Sequence, residues 1–154
     1  MTGSSSDMMR RVRTLGTLIV LVHLGVVLQH GSDHSHLAID MAAWQNAFIG
    51  SVIVIAPVIA GVMIWTRRAK AALWLLAVSM AGSFFFGLWY HFLAAGADNV
   101  LNMPSGGTHT AFRVTAVLLA IIEGAGCAWS LLVLPSMTSE DMDGAGKQLR
   151  LDQS

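Results

Sequence analysis

Four long stretches of this chain are apolar, and its polar residues gather between them. The first stretch covers residues 15–30 and runs into Gln29-His30-Gly31-Ser32-Asp33-His34-Ser35-His36. The second covers 42–65 and is closed by Thr66-Arg67-Arg68-Ala69-Lys70. The third covers 71–95. A segment rich in turn formers follows, with Asp98, Asn99, Asn102, Pro104, Gly106 and Gly107. The fourth covers 110–134 and stops at Pro135. Each approaches or exceeds the roughly 20 residues that cross a hydrocarbon core of about 30 Å. The pattern predicts an all-α fold, an integral-membrane antiparallel four-helix bundle. Pro57 lies inside the second stretch, where a membrane helix tolerates it better than a soluble one.

Around this domain (15–135) the pattern predicts two tails: a disordered, basic one over 1–14 and a polar one over 136–154. Arg10, Arg11 and Arg13 ahead of an apolar run also suit a secretory signal. No small-x-small cleavage site follows, so an uncleaved first helix is expected. Basic residues set the orientation. Arg10, Arg11, Arg13, Arg67, Arg68, Lys70, Lys147 and Arg150 share one side of a four-span topology, and only Arg113 falls on the other. Both termini are therefore expected in the cytoplasm, with the histidine-rich hinge and the 96–109 loop outside. The expected location is a bacterial inner (plasma) membrane, crossed several times.

Composition sharpens this reading. Of the 154 residues 55% are apolar and only 12% charged, with a mean hydropathy of +0.63. Soluble domains carry about 25% charge, so four buried soluble helices are the weaker reading. The formal net charge is zero, which removes the polybasic argument for nucleic acid. Cys127 is the one cysteine, so neither an intrachain disulfide nor a CxxC pair exists.

Membrane helices pack through small residues and scattered polar contacts. Gly16, His23 and His30 recur every seven residues in the first helix. Asn46, Gly50, Pro57 and Gly61 form a row in the second. Ser79, Ser83, Gly87 and His91 repeat every four residues in the third. Ala116, Ala120, Glu123 and Cys127 share a face in the fourth. These faces are expected to line the bundle interior. At about 1.5 Å per residue, His23 lies about 10 Å below His30, and Glu123 about 15 Å below Arg113. That spacing permits a His23–Glu123 contact. Trp44, Trp65, Trp89 and Tyr90 suit interfacial belts.

An ionisable residue inside a membrane is expensive and marks a functional candidate. His30, His34, His36, His91 and His109 are expected together in the outer half, with Asp33, Asp40, Asp98, Met41 and Met103 near them. Histidines four apart on a helix, or in an H-x-H pair, can share an ion. Imidazole suits copper, zinc, iron and nickel, and thioether favours Cu(I). The expected ligands are His30, His34, His36 and His91, with His23 as a supplement and Asp33 orienting a ligand. The leading expectation is an external site that binds or handles a transition metal ion, copper or zinc.

A plain polar loop at a helix end competes with that reading. A haem b cytochrome passing electrons to or from quinone would use His91 with His30 or His23. His23, Glu123 and His91 could instead form part of a proton path, although the cytoplasmic half adds no further ionisable group. Glu123 could simply tie two helices together, and Arg113 could pair with Asp98 or snorkel. A cofactor-free structural or interaction subunit, in a homo-oligomer or a larger membrane complex, is the remaining expectation. No GxSxG, HExxH, P-loop or GxGxxG motif occurs, and Ser32 and Ser35 make no triad without further geometry. Nothing in the sequence specifies catalysis.

Overall fold

The computed structural model describes residues 3–137, which are all-helical with no strand. Four helices make up the fold: α1 (Gly3–His36), α2 (Ala43–Met63), α3 (Ala69–Leu93) and α4 (Gly107–Ser136). All four are long and apolar enough to cross a membrane. The polar tail expected over 136–154 lies outside the described residues from 138 onward.

Helix α1 differs from expectation at both ends. Residues 3–14, expected as a disordered tail, are its first turns, and the hinge from His30 to His36 is its last two. Its 34 residues span about 51 Å at 1.5 Å each, well beyond the hydrocarbon core. No proline interrupts it, so nothing in the backbone stops the helix at the membrane surface. It ends where Ala38 adopts φ 51° and the amides of Leu37 and Ile39 donate to the carbonyls of Asp33 and His34. An alanine occupies the left-handed cap position that glycine usually takes.

Pro57 leaves its mark on α2. Proline has no N–H and its ring collides with the carbonyl four residues back. The preceding turns widen accordingly into a π-helical stretch over Ile49–Ile55, and the Ala56 amide donates to Ser51. A second π-helical turn, Trp89–Leu93, ends α3, with the Ala94 amide donating to the Trp89 carbonyl at 2.7 Å. In an ideal α-helix each four-residue step drifts by about 40°, so Ser79 and His91 would stand about 120° apart. The wider π turn, roughly 4.4 residues, removes the drift of the last step. Ser79, Ser83 and His91 are all buried as a result.

Helix α4 packs along both α1 and α3, and α2 lies mainly on α3. The α1–α2 seam is open, leaving an apolar groove of about 430 Å³ between Leu21, Leu24, Val58 and Trp65. Gly61 meets Val20 at the base of that seam, and Gly126 lets α4 approach Ile19 and Met80. The expected α2 row is only half interior: Pro57 is buried, but Asn46 is exposed.

Two apolar layers fill the basic end. Val20, Ala60, Leu76 and Met80 form the upper one, and Val12, Ile64, Leu73 and Leu134 belong to the lower. Large apolar side chains such as Leu28, Val62, Val78, Phe85 and Leu132 point outward. Arg13 lies over the Trp65 ring at 5.7 Å, so the N-terminal basic cluster and the α2–α3 connection share one end. The histidines occupy the other.

Among the described residues Arg113 makes no ion pair with Asp98. It donates to the backbone carbonyls of Val100 (3.0 Å) and Met103, pinning the 94–106 connection over Phe112. Gly106 (φ 108°) and Gly107 (φ 49°) make the turn into α4, which non-glycine residues resist.

Candidate metal centre

Because α1 continues as a helix to His36, His30 and His34 fall one turn apart on its inner face. The π turn of α3 brings His91 against them. One ring nitrogen from each of the three lies within 4.8 Å of the others, and all three residues are buried. Phe112, completely buried, backs the cluster. Its ring centroid lies 4.4 Å from that of His30, 4.8 Å from His34 and 5.4 Å from His91.

The partners of the rings limit what the nitrogens can do. His91 Nδ1 sits 3.2 Å from the Asp98 carbonyl oxygen. A carbonyl only accepts, so Nδ1 carries the proton and Nε2 presents a lone pair. His30 Nε2 faces His91 Nε2 at 3.1 Å. His30 Nδ1 contacts Thr115 Oγ1 at 2.8 Å, and that hydroxyl is 3.3 Å from Asp33 Oδ2. Gln29 donates to the other Asp33 oxygen at 3.0 Å. His34 Nδ1 is buried and has no hydrogen-bond partner among the described residues. An orphaned buried polar atom calls for an explanation, a bound ion among them.

The dimensions suit an ion. Nitrogens sharing a tetrahedral zinc at about 2.0–2.1 Å stand about 3.3 Å apart. The His30–His91 pair is already there at 3.1 Å, and the widest separation in the set is 4.8 Å. Closing on an ion therefore needs a contraction of about 1.5 Å at most.

A cavity of about 80 Å³ opens beside the three rings between α1, α2 and α3. Met41, Gln45 and Asp98 line it, and so do Ser83 and Glu123. Ser83 Oγ is buried without a hydrogen-bond partner among the described residues. His23, Ser83 and Glu123 lie seven or eight residues along their helices from His30, His91 and Thr115, placing them about 10–12 Å below the cluster. His23 Nε2 meets Glu123 Oε1 at 3.2 Å, the contact the helix arithmetic permits. Below them the apolar layer of Val20, Leu76 and Met80 closes the bundle.

Not every expected residue joins the centre. His36 is exposed, and its Nδ1 donates to the Ser32 carbonyl at 2.8 Å. It lies two positions past His34 on a helix, which turns it away; an H-x-H pair shares an ion only where the backbone is not helical. His23 is occupied by Glu123. His109 borders a separate polar hollow under the 94–106 connection, and Asp40 is exposed. Thr115 and Phe112 went unrecognised in the sequence. A lone threonine or phenylalanine in a membrane helix carries no signal of its own.

Comparisons with protein-family models, with curated proteins and with solved structures found no match.

Proposed function

We propose that this chain is a multi-pass inner-membrane protein that binds a transition metal ion, zinc or copper, at its extracytoplasmic end through His30, His34 and His91. The observation that carries the reading is three buried imidazoles from α1 and α3 with one nitrogen each within 4.8 Å. The 3.1 Å approach of His30 Nε2 to His91 Nε2 suits an N–H···N hydrogen bond in the empty protein and a shared ion in the loaded one. Three imidazoles, with no thiolate among them, suit zinc or copper over calcium or magnesium. The extracytoplasmic placement rests on Arg10, Arg11, Arg13, Arg67, Arg68 and Lys70 at the opposite end.

The haem reading is the weaker one. Axial nitrogens on opposite sides of a haem iron stand about 4 Å apart with the macrocycle between them. His30 and His91 touch at 3.1 Å with Phe112 against both rings, and the neighbouring cavity of about 80 Å³ is small beside the 300 Å³ or more of typical cofactor pockets.

The test is metal content. The protein, purified in mild detergent without a histidine tag, is expected to hold near-stoichiometric zinc or copper by elemental analysis, or to take it up on titration. His34→Ala and His91→Ala should each abolish this. A Soret band with stoichiometric iron would establish the cytochrome instead. A colourless protein that takes up no ion would leave a structural or interaction subunit.

A further inference from the structure

The three imidazoles bring no charge of their own, and the ion they would hold sits at the rim of a low-dielectric bundle. A buried cation requires counter-charge nearby. Asp33 is buried; one of its oxygens accepts from Gln29 at 3.0 Å and the other lies 3.3 Å from the Thr115 hydroxyl. Its hydrogen-bond route to His30 runs through the Thr115 hydroxyl, and its charge also acts directly on the neighbouring His34.

That hydroxyl has one hydrogen. It also lies 3.0 Å from the carbonyls of Ala111 and Phe112. Without an ion, the clash between His30 Nε2 and His91 Nε2 is relieved if His30 carries its proton on Nε2 and donates to His91. His30 Nδ1 then accepts the Thr115 hydrogen, and Asp33 loses it. With an ion on His30 Nε2, the imidazole proton moves to Nδ1 and donates to Thr115. The hydroxyl hydrogen is then free to turn to Asp33, making a charge-assisted bond. The carboxylate is thus engaged in the ion-loaded arrangement and released in the empty one.

We propose, on the footing of the metal-site reading above, that Asp33 acting through Thr115 selects the His30 tautomer and supplies the counter-charge that tunes this site to a divalent ion over a monovalent one. Asp98 adds a second carboxylate at the cavity wall, and its backbone carbonyl fixes the His91 tautomer. Two carboxylates around three neutral ligands balance a 2+ ion and over-compensate a 1+ ion. Asp33 and Thr115 are positioning residues here; neither touches the ion.

The experiment is calorimetric titration of the detergent-solubilised protein with Zn²⁺ and, separately, with Ag⁺ as the monovalent imidazole-binding probe. Asp33→Asn keeps the size and one acceptor oxygen and removes the charge. Thr115→Val breaks the relay and leaves every charge in place, and Thr115→Ser restores it. Changes to such outer partners cost about 10–100-fold in metal affinity. Zn²⁺ binding is expected to weaken by that factor in Asp33→Asn and Thr115→Val and to return to within about threefold in Thr115→Ser. Ag⁺ binding should move less than about threefold in Asp33→Asn, whereas Thr115→Val should weaken both ions, since either needs the same His30 tautomer. The ring ¹⁵N shifts of His30 should report Nδ1–H in the zinc-loaded protein and Nε2–H in the empty one. Equal losses for both ions in Asp33→Asn, or unchanged zinc binding in Thr115→Val, would overturn the proposal and leave the metal site standing. Failure of the unaltered protein to bind either ion would remove the metal site itself. Should Asp33→Asn not fold, the Thr115→Val and Thr115→Ser pair decides alone.

Discussion

The His23–Glu123 contact offers a test of the bundle interior that needs no metal. His23 is wholly buried and Glu123 only 2% exposed, and their bond of 3.2 Å ties α1 to α4. His23 Nδ1 has no partner among the described residues. Replacing Glu123 with leucine therefore strands both ring nitrogens of a buried imidazole. An unsatisfied buried polar group costs about 1–3 kcal/mol, so Glu123→Leu is expected to destabilise by about 2 kcal/mol. His23→Leu strands the carboxyl instead and should cost a similar amount.

The double variant removes both polar groups and leaves neither stranded. Polar pairs between membrane helices show couplings of about 0.6 kcal/mol on average and about 1.7 at most. A completely buried pair belongs near the upper value. The double variant should therefore be more stable than the sum of the singles by about 1.5 kcal/mol. Reversible unfolding in mixed micelles, followed by circular dichroism, measures all four corners of the cycle. Additivity within about 0.3 kcal/mol would refute the claim that these groups satisfy each other.

Other outcomes follow from single positions. His36→Ala should leave zinc affinity unchanged in titration, because its ring is spent on the Ser32 carbonyl, whereas His34→Ala should abolish binding. Ala38→Gly should raise stability by about 0.5–1 kcal/mol in the same unfolding assay, since φ 51° penalises an alanine and not a glycine. Arg113→Ala frees the carbonyls of Val100 and Met103 and should speed proteolytic nicking of the 94–106 connection while the four spans stay intact.

The four spans were legible because length and apolarity alone decide them. The inward faces were legible for α1, α3 and α4, where glycine, serine, histidine and glutamate mark the seam at helical spacing. Asn46 broke the rule in α2: at a helix end, water satisfies an asparagine as well as a neighbour would. The continuation of α1 through Gln29–His36 was not legible, since a polar run with glycine and serine reads as a hinge. What overrides it is the inward pull of three buried residues, His30, Asp33 and His34, which only a helix can place on one face. The π turn at Trp89–Leu93 was equally hidden, because nothing in Trp-Tyr-His-Phe-Leu distinguishes five residues of α-helix from five of π. Yet that turn carries His91 to the cluster. Thr115 gained its role from a neighbour 85 positions away, a relation that local pattern does not encode.

The floor of the cavity decides between holding an ion and passing it on. From the histidines, unspent polar side chains extend about 10–12 Å inward to Ser83, Glu123 and His23; deeper, the buried hydroxyls of Ser79 and Ser130 each donate to a carbonyl of their own helix. Val20, Ala60, Leu76 and Met80 fill the next layer with apolar atoms, and Ile64 and Leu73 fill the one after. An unaccompanied zinc ion crossing those two layers would meet no imidazole or carboxylate, only sulfur groups such as Met80 and Cys127, and transfer of a bare charge into such surroundings costs several kcal/mol even after relaxation. Among the described residues the polar cavity beside the histidines therefore has no imidazole or carboxylate path to the basic end. Reconstituted in vesicles with a zinc-sensitive dye inside, the protein is expected to bind external zinc and give no lumenal signal above that of empty vesicles. Placing zinc inside should occupy only those molecules inserted with their histidine end facing the lumen. Sustained lumenal accumulation that His91→Ala abolishes would show that the apolar layers open, and the chain would then be a carrier with this cluster as its outer stop.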